Sequence, residues 1–84
     1  MTNKNILKKQ IIYRSSHRGS KEMDMLLGRF VKKYINDFTN DELIMLEQIL
    51  FIEDEILHHW YFGKKDIDII PKNKISKMLR EFKF

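Results

Sequence analysis

Apolar residues recur along this chain at helical spacing, in five successive stretches. Ile6, Leu7, Ile11 and Ile12 form the first stripe and predict a short helix over residues 4–13, basic on its outer face through Lys4, Lys8 and Lys9. Its end is expected somewhere within residues 14–19. Met23, Leu26, Leu27, Phe30 and Tyr34 share one wide stripe and predict a second helix over residues 20–35. Ser20 suits its N-cap, and Glu22 and Asp24 lie in the first turns, where negative charge complements the exposed N–H groups. Gly19, just before the cap, is a natural place for positive φ or for close backbone approach. Gly28 lies inside the helix, where glycine costs about 1 kcal/mol against alanine. A neighbouring helix is therefore expected to come close there.

Residues 36–40 read as a turn, and Thr39 with Glu42 three positions on is a capping box. The third helix, over residues 40–51, is apolar nearly all round: Leu43, Ile44, Met45, Leu46, Ile49, Leu50 and Phe51. Such a helix is either the buried centre of the domain or exposes a surface meant for another molecule. Glu53, Asp54 and Glu55 open a fourth helix, which carries Ile56, Leu57, Trp60 and Tyr61 and stops at Gly63. Trp60 reads first as a core aromatic and second as a partner hot spot. The alternation Asp66, Ile67, Asp68, Ile69 hints at extended chain before Pro71. From Pro71, the stripe Ile75, Met78, Leu79 and Phe82 predicts a final amphipathic helix, with Lys74, Lys77 and Arg80 among its polar positions. The pattern amounts to an all-α fold, one small domain over residues 1–84 built as a compact bundle of about five short helices.

Charge widens the choice of partners. The net charge is +4, with no acid before Glu22, an acidic middle over residues 37–55, and five basic residues against one acid over residues 72–84. Clustered cations of this kind can neutralise phosphates, so a small basic nucleic-acid-binding protein is the alternative reading. Neither basic helix shows an Asn, Gln and Arg set aimed at base edges. No run is long and apolar enough to span a bilayer, so no membrane insertion is expected, and the chain reads as soluble and unprocessed. There is no cysteine, which removes disulfides and thiolate metal sites.

Enzyme chemistry finds little purchase. His58 and His59 are adjacent, not four apart, so they do not form a helical metal clamp. Ser15, Ser16, Ser20 and His17 could be drawn as nucleophile and base, but serines beside a helix end serve more often as caps. Glu22 and Asp24 fall on opposite flanks of the second helix and do not make a catalytic pair. What remains is recognition. Arg14 and Arg18 offer bidentate contacts to carboxylates or phosphates with Glu22 orienting them, or else Arg18 and Glu22 pair with each other across one helical turn.

The arrangement Arg18, Gly19, two residues, Glu22, one residue, Asp24 resembles the RGxxExD signature of the succinate dehydrogenase FAD assembly factors, a family of small helical proteins. Leu27 and Phe30 sit where that family continues its second helix, and Glu47, Leu50, Asp54, Leu57, Trp60 and Gly63 resemble its second block. The likeness covers residues 14–63, and residues 64–84 show nothing diagnostic. The resemblance implies a non-enzymatic, chaperone-like factor. Such proteins bind the flavoprotein subunit of succinate dehydrogenase, and often of fumarate reductase, and promote covalent attachment of FAD to a histidine of that subunit. The chain itself would bind no cofactor and no nucleic acid. Carried over by position, Arg18, Gly19 and Glu22 would form the core of the contact surface, with Arg14 beside it and Asp24 a weaker member. His17 stands where the family often has another basic residue. Gly19→Arg is expected to block binding and leave the fold intact. A signature that begins this early in the chain leads to the expectation of a cytoplasmic bacterial member.

Overall fold

The all-α expectation holds. The computed structural model describes residues 4–84 and contains, among them, α1 (Lys4–Ser16), α2 (Lys21–Tyr34), α3 (Asn40–Leu50), α4 (Asp54–Tyr61) and α5 (Lys74–Glu81), with no strand. Local chemistry starts three of these helices. Ser20 Oγ accepts the Met23 N–H at 3.2 Å and caps α2. Thr39 Oγ1 accepts the Glu42 N–H at 3.2 Å while Glu42 Oε1 accepts the Thr39 N–H at 2.8 Å, completing the capping box of α3. Asn73 and Ser76 form a second box, which starts α5 at Lys74, three residues beyond the proline where the pattern placed it.

One core receives all five helices. Met23, Leu26, Leu27, Phe30 and Val31 of α2 and Leu43, Leu46, Ile49 and Leu50 of α3 are its centre, with Leu57, Trp60 and Tyr61 from α4 and Ile75 and Leu79 from α5. Trp60 is therefore a core residue, with the Arg80 guanidinium 5.4 Å from its ring centre. The all-round apolar character of α3 is divided between two faces: the inner face is buried, while Ile44 and, at the C-cap, Phe51 stand 40% and 60% exposed.

α1 departs from its predicted stripe. Only Leu7, Ile11 and Ser15 are buried, one narrow seam at four-residue steps against α2 and α3, whereas Ile6 and Ile12 face outward. α1 comes close at Gly28 as expected, but a Cβ built there would lie 4.0 Å from the Ser15 carbonyl oxygen, an ordinary contact, so the approach does not depend on glycine.

The link between α4 and α5 is not extended chain. Ile70 donates its N–H to the Ile67 carbonyl at 3.1 Å, a turn that brings Ile67 and Ile70 inward and leaves Ile69 61% exposed. Strand alternation would have put Ile67 and Ile69 on one face, with no neighbouring strand to pair with. Gly63 begins the link because a Cβ there would meet the His59 carbonyl oxygen at 2.6 Å. The C-terminal end is held by the Tyr61 hydroxyl, which donates to the Phe82 carbonyl, and burial pushes the Tyr61 phenol above its ordinary range. Lys74 lies 2.7 Å from Glu42 and, with the Thr39 N–H, holds the Glu42 carboxyl below its usual range.

Candidate partner-binding face

The six candidate residues converge on one corner of the molecule, where the end of α1 and the start of α2 rest against the junction of α3 and α4. α1 reaches Ser16 because Ser15 and Ser16 both donate their hydroxyls to the Ile12 carbonyl at 2.9 Å, within the last turn. Ser20 is used as a cap, so all three serines serve the helix ends, as their position suggested. His17 closes α1. Its ring stacks on Tyr13 with centroids 3.9 Å apart, and Nδ1 lies 2.8 Å from the Tyr13 carbonyl, an acceptor, so Nδ1 carries the proton.

Arg18 turns inward. Its Nε lies 2.6 Å from Asp54 Oδ1, its Nη1 donates to the Leu50 carbonyl at 2.7 Å and to that of Arg14 at 3.3 Å, and its Nη2 donates to the Ile52 carbonyl at 2.9 Å. The side chain is only 9% exposed. The Arg18–Glu22 ion pair that spacing allowed is not formed. The backbone is held as well: the Arg18 N–H donates to Asp24 Oδ1 at 2.7 Å, and the Gly19 N–H donates to Asp54 Oδ2. Of the two expectations for Gly19, positive φ is absent and close approach is present, its closest neighbour being a carboxylate of the same chain at 3.2 Å from a built Cβ.

Other candidates face solvent. Arg14 is exposed, with its guanidinium 4.4 Å over the ring of Phe51. Glu22 is exposed, and its side chain makes no hydrogen bond or ion pair with another described residue. Gly19 and His17 are exposed too, while Asp24 is half-buried on the Arg18 amide. Tyr13, 62% exposed, and Phe51 join this face although neither was among the candidates. A signal for Tyr13 existed, since it sits three and four positions from Gln10 and His17, off the buried seam. The face therefore combines two aromatic rings, each covered by a basic residue of its own chain, with a carboxylate that has no partner among the described residues. That chemistry suits recognition of a polar protein surface.

The family described as "Flavinator of succinate dehydrogenase" matches residues 9–83. The chain belongs to this family. The match runs from α1 through α5, so membership extends over residues 64–83, where the sequence alone offered nothing diagnostic. Among relatives, "Succinate dehydrogenase assembly factor 2, mitochondrial" of Scheffersomyces stipitis is 39% identical over 80 residues, covering 90% of this chain and 54% of the relative. "FAD assembly factor SdhE" of Acetobacter pasteurianus is 36% identical over 73 residues, covering 87% of this chain and 64% of the relative. This flavinator-family chain thus spans from about half to just under two thirds of the length of these relatives. No solved structure matches it. No helix among the described residues is long and apolar enough to cross a membrane.

Proposed function

We propose that this chain is a non-enzymatic assembly factor that binds the flavoprotein subunit of succinate dehydrogenase and promotes covalent attachment of FAD to it. The observation that carries the reading is the family match over residues 9–83, whose signature loop lies on an exposed face with Glu22 open to solvent. The FAD belongs to the partner in this account, and the chain holds none itself. Its contribution is positional: docking fixes the flavoprotein and its flavin so that a histidine of the partner lies in reacting geometry, a constraint that can remove several kcal/mol from a barrier, up to about 7–11 in well-oriented systems. The flavoprotein of fumarate reductase is a second client in the same reading. The bacterial cytoplasm is the proposed compartment, by likeness to the Acetobacter factor; several other relatives are mitochondrial by name, and cell fractionation decides between the two.

Two of the C-terminal cations that invited a nucleic-acid reading are paired within the chain, Lys74 with Glu42 and Arg80 with Asp66. Size-exclusion chromatography of the purified chain with the flavoprotein subunit is expected to give a stoichiometric complex. Steeply salt-dependent retention on DNA or RNA, with no flavoprotein complex, would overturn the proposal.

A further inference from the structure

We propose that Asp54 is a positioning residue for the partner-binding loop, and that Arg18 acts on the partner through Asp54 and not by touching it. For its partner readout the inference rests on the assembly-factor reading.

A guanidinium recognises a partner's carboxylate by offering a planar fork of N–H groups. In Arg18 that fork is occupied: Nε and Nη2 each lie 2.6 Å from Asp54 Oδ1, and Nη1 and Nη2 reach the Leu50 and Ile52 carbonyls at 2.7 and 2.9 Å. These acceptors include the last carbonyl of α3 and one in the link to α4, which have no onward helical N–H of their own. Arg18 therefore stitches the α1–α2 loop to the α3–α4 corner, and presenting it to a partner would break every one of these bonds.

Asp54 works in two directions. While one oxygen takes the guanidinium, the other accepts the Gly19 N–H, and Asp24 accepts the N–H of Arg18 at 2.7 Å. Two consecutive amides of the loop are thus aimed at two carboxylates from different helices, α4 and α2. A Cβ on residue 19 would lie 3.2 Å from Asp54 Oδ2, so glycine at this position serves an internal contact as well as an approach from outside. Asp54 is also the first residue of α4, where a negative charge is favoured by the helix dipole. The signature consequently divides. Arg18 and Asp24, with Asp54 from 36 residues away in sequence, set the loop, and Glu22 with the outer side of Gly19 meets the partner.

Two readouts test this. In the free protein, Asp54→Ala should speed hydrogen exchange at the Gly19 amide by about tenfold or more, a 1.4 kcal/mol effect, while amides within α3 and α5 stay protected. In flavoprotein binding, Asp54→Ala and Arg18→Ala should each weaken affinity about tenfold, and the double variant no further, whereas Glu22→Ala should multiply with either. Should Asp54→Ala unfold, Asp54→Asn, which keeps the shape and one acceptor oxygen, carries the same two measurements. Unchanged Gly19 exchange overturns the clamp. Multiplicative losses from Arg18→Ala and Asp54→Ala overturn the indirect role of Arg18. If the wild-type chain binds no flavoprotein, the assembly-factor reading fails, and the Gly19 amide still decides whether Asp54 sets the loop.

Discussion

Gly28→Ala tests how α1 sits on α2, and with it the placement of Tyr13, Arg14 and His17. Gly28 is a helix-interior residue, where alanine is favoured by about 1 kcal/mol. The added methyl would lie 4.0 Å from the Ser15 carbonyl oxygen, an ordinary contact that asks neither helix to move. It would also line the shallow groove between Ile12, Val31 and Ile35, where partial burial of one methyl adds at most about 0.8 kcal/mol. Facing a carbonyl oxygen offsets part of that gain. The expected sum is a stabilisation of about 1 kcal/mol, which in a domain of this size raises Tm by about 4–8 °C. Thermal unfolding followed by the fluorescence of the buried Trp60 measures it directly. A loss of stability beyond about 0.5 kcal/mol, outside the range of neutral surface changes, would mean that α1 lies closer to α2 than described and would refute the reasoning.

The same substitution at Gly63 should have the opposite sign, costing about 1–3 kcal/mol in urea unfolding, because its Cβ would meet the His59 carbonyl oxygen at 2.6 Å. Tyr61→Phe removes the hydroxyl that holds the Phe82 carbonyl and should cost about 1 kcal/mol, with faster exchange of amides beyond α5. Glu42 has a folded pKa below the ordinary carboxyl value of 4.5, held there by Lys74 and the Thr39 N–H, so its contribution to stability is present above pH 4.5 and is lost as pH falls through the folded value. Lys74→Ala should move the Glu42 titration, followed by NMR, back upward. Tyr61 has a folded pKa raised above 10.0, so stability should fall as pH rises past 10.0, where the unfolded chain ionises first; denaturant midpoints across that range check the sign.

Much of the fold was legible because each helix carries its own local signal. Ser20 and the Thr39–Glu42 box mark two starts, and the stripes of α2 and α5 name their buried faces. The signal failed where tertiary contacts decide. Ile6 and Ile12 have the spacing of a core stripe, but α1 meets the rest of the protein along a seam only one residue wide. Ile67 and Ile69 alternate like a strand, yet a turn at Ile67 brings Ile70 inward instead. The Asn73–Ser76 box was missed because a serine takes the place that glutamate usually holds. At the candidate site, the positions of Gly19 and Glu22 could be read from the signature. The partner of Arg18 could not, since Asp54 lies 36 residues away and nearby Glu22 offered the ordinary local spacing.

The proposed role of this chain is to promote attachment of FAD to a flavoprotein through the face around Gly19 and Glu22. Covalent flavin on the succinate dehydrogenase flavoprotein subunit, read as in-gel fluorescence after denaturation, tests it most directly. In cells lacking the protein the covalent signal should be lost, and it should return with the wild-type chain but not with Glu22→Ala or Gly19→Arg. A covalent signal unchanged by deletion would rule this role out.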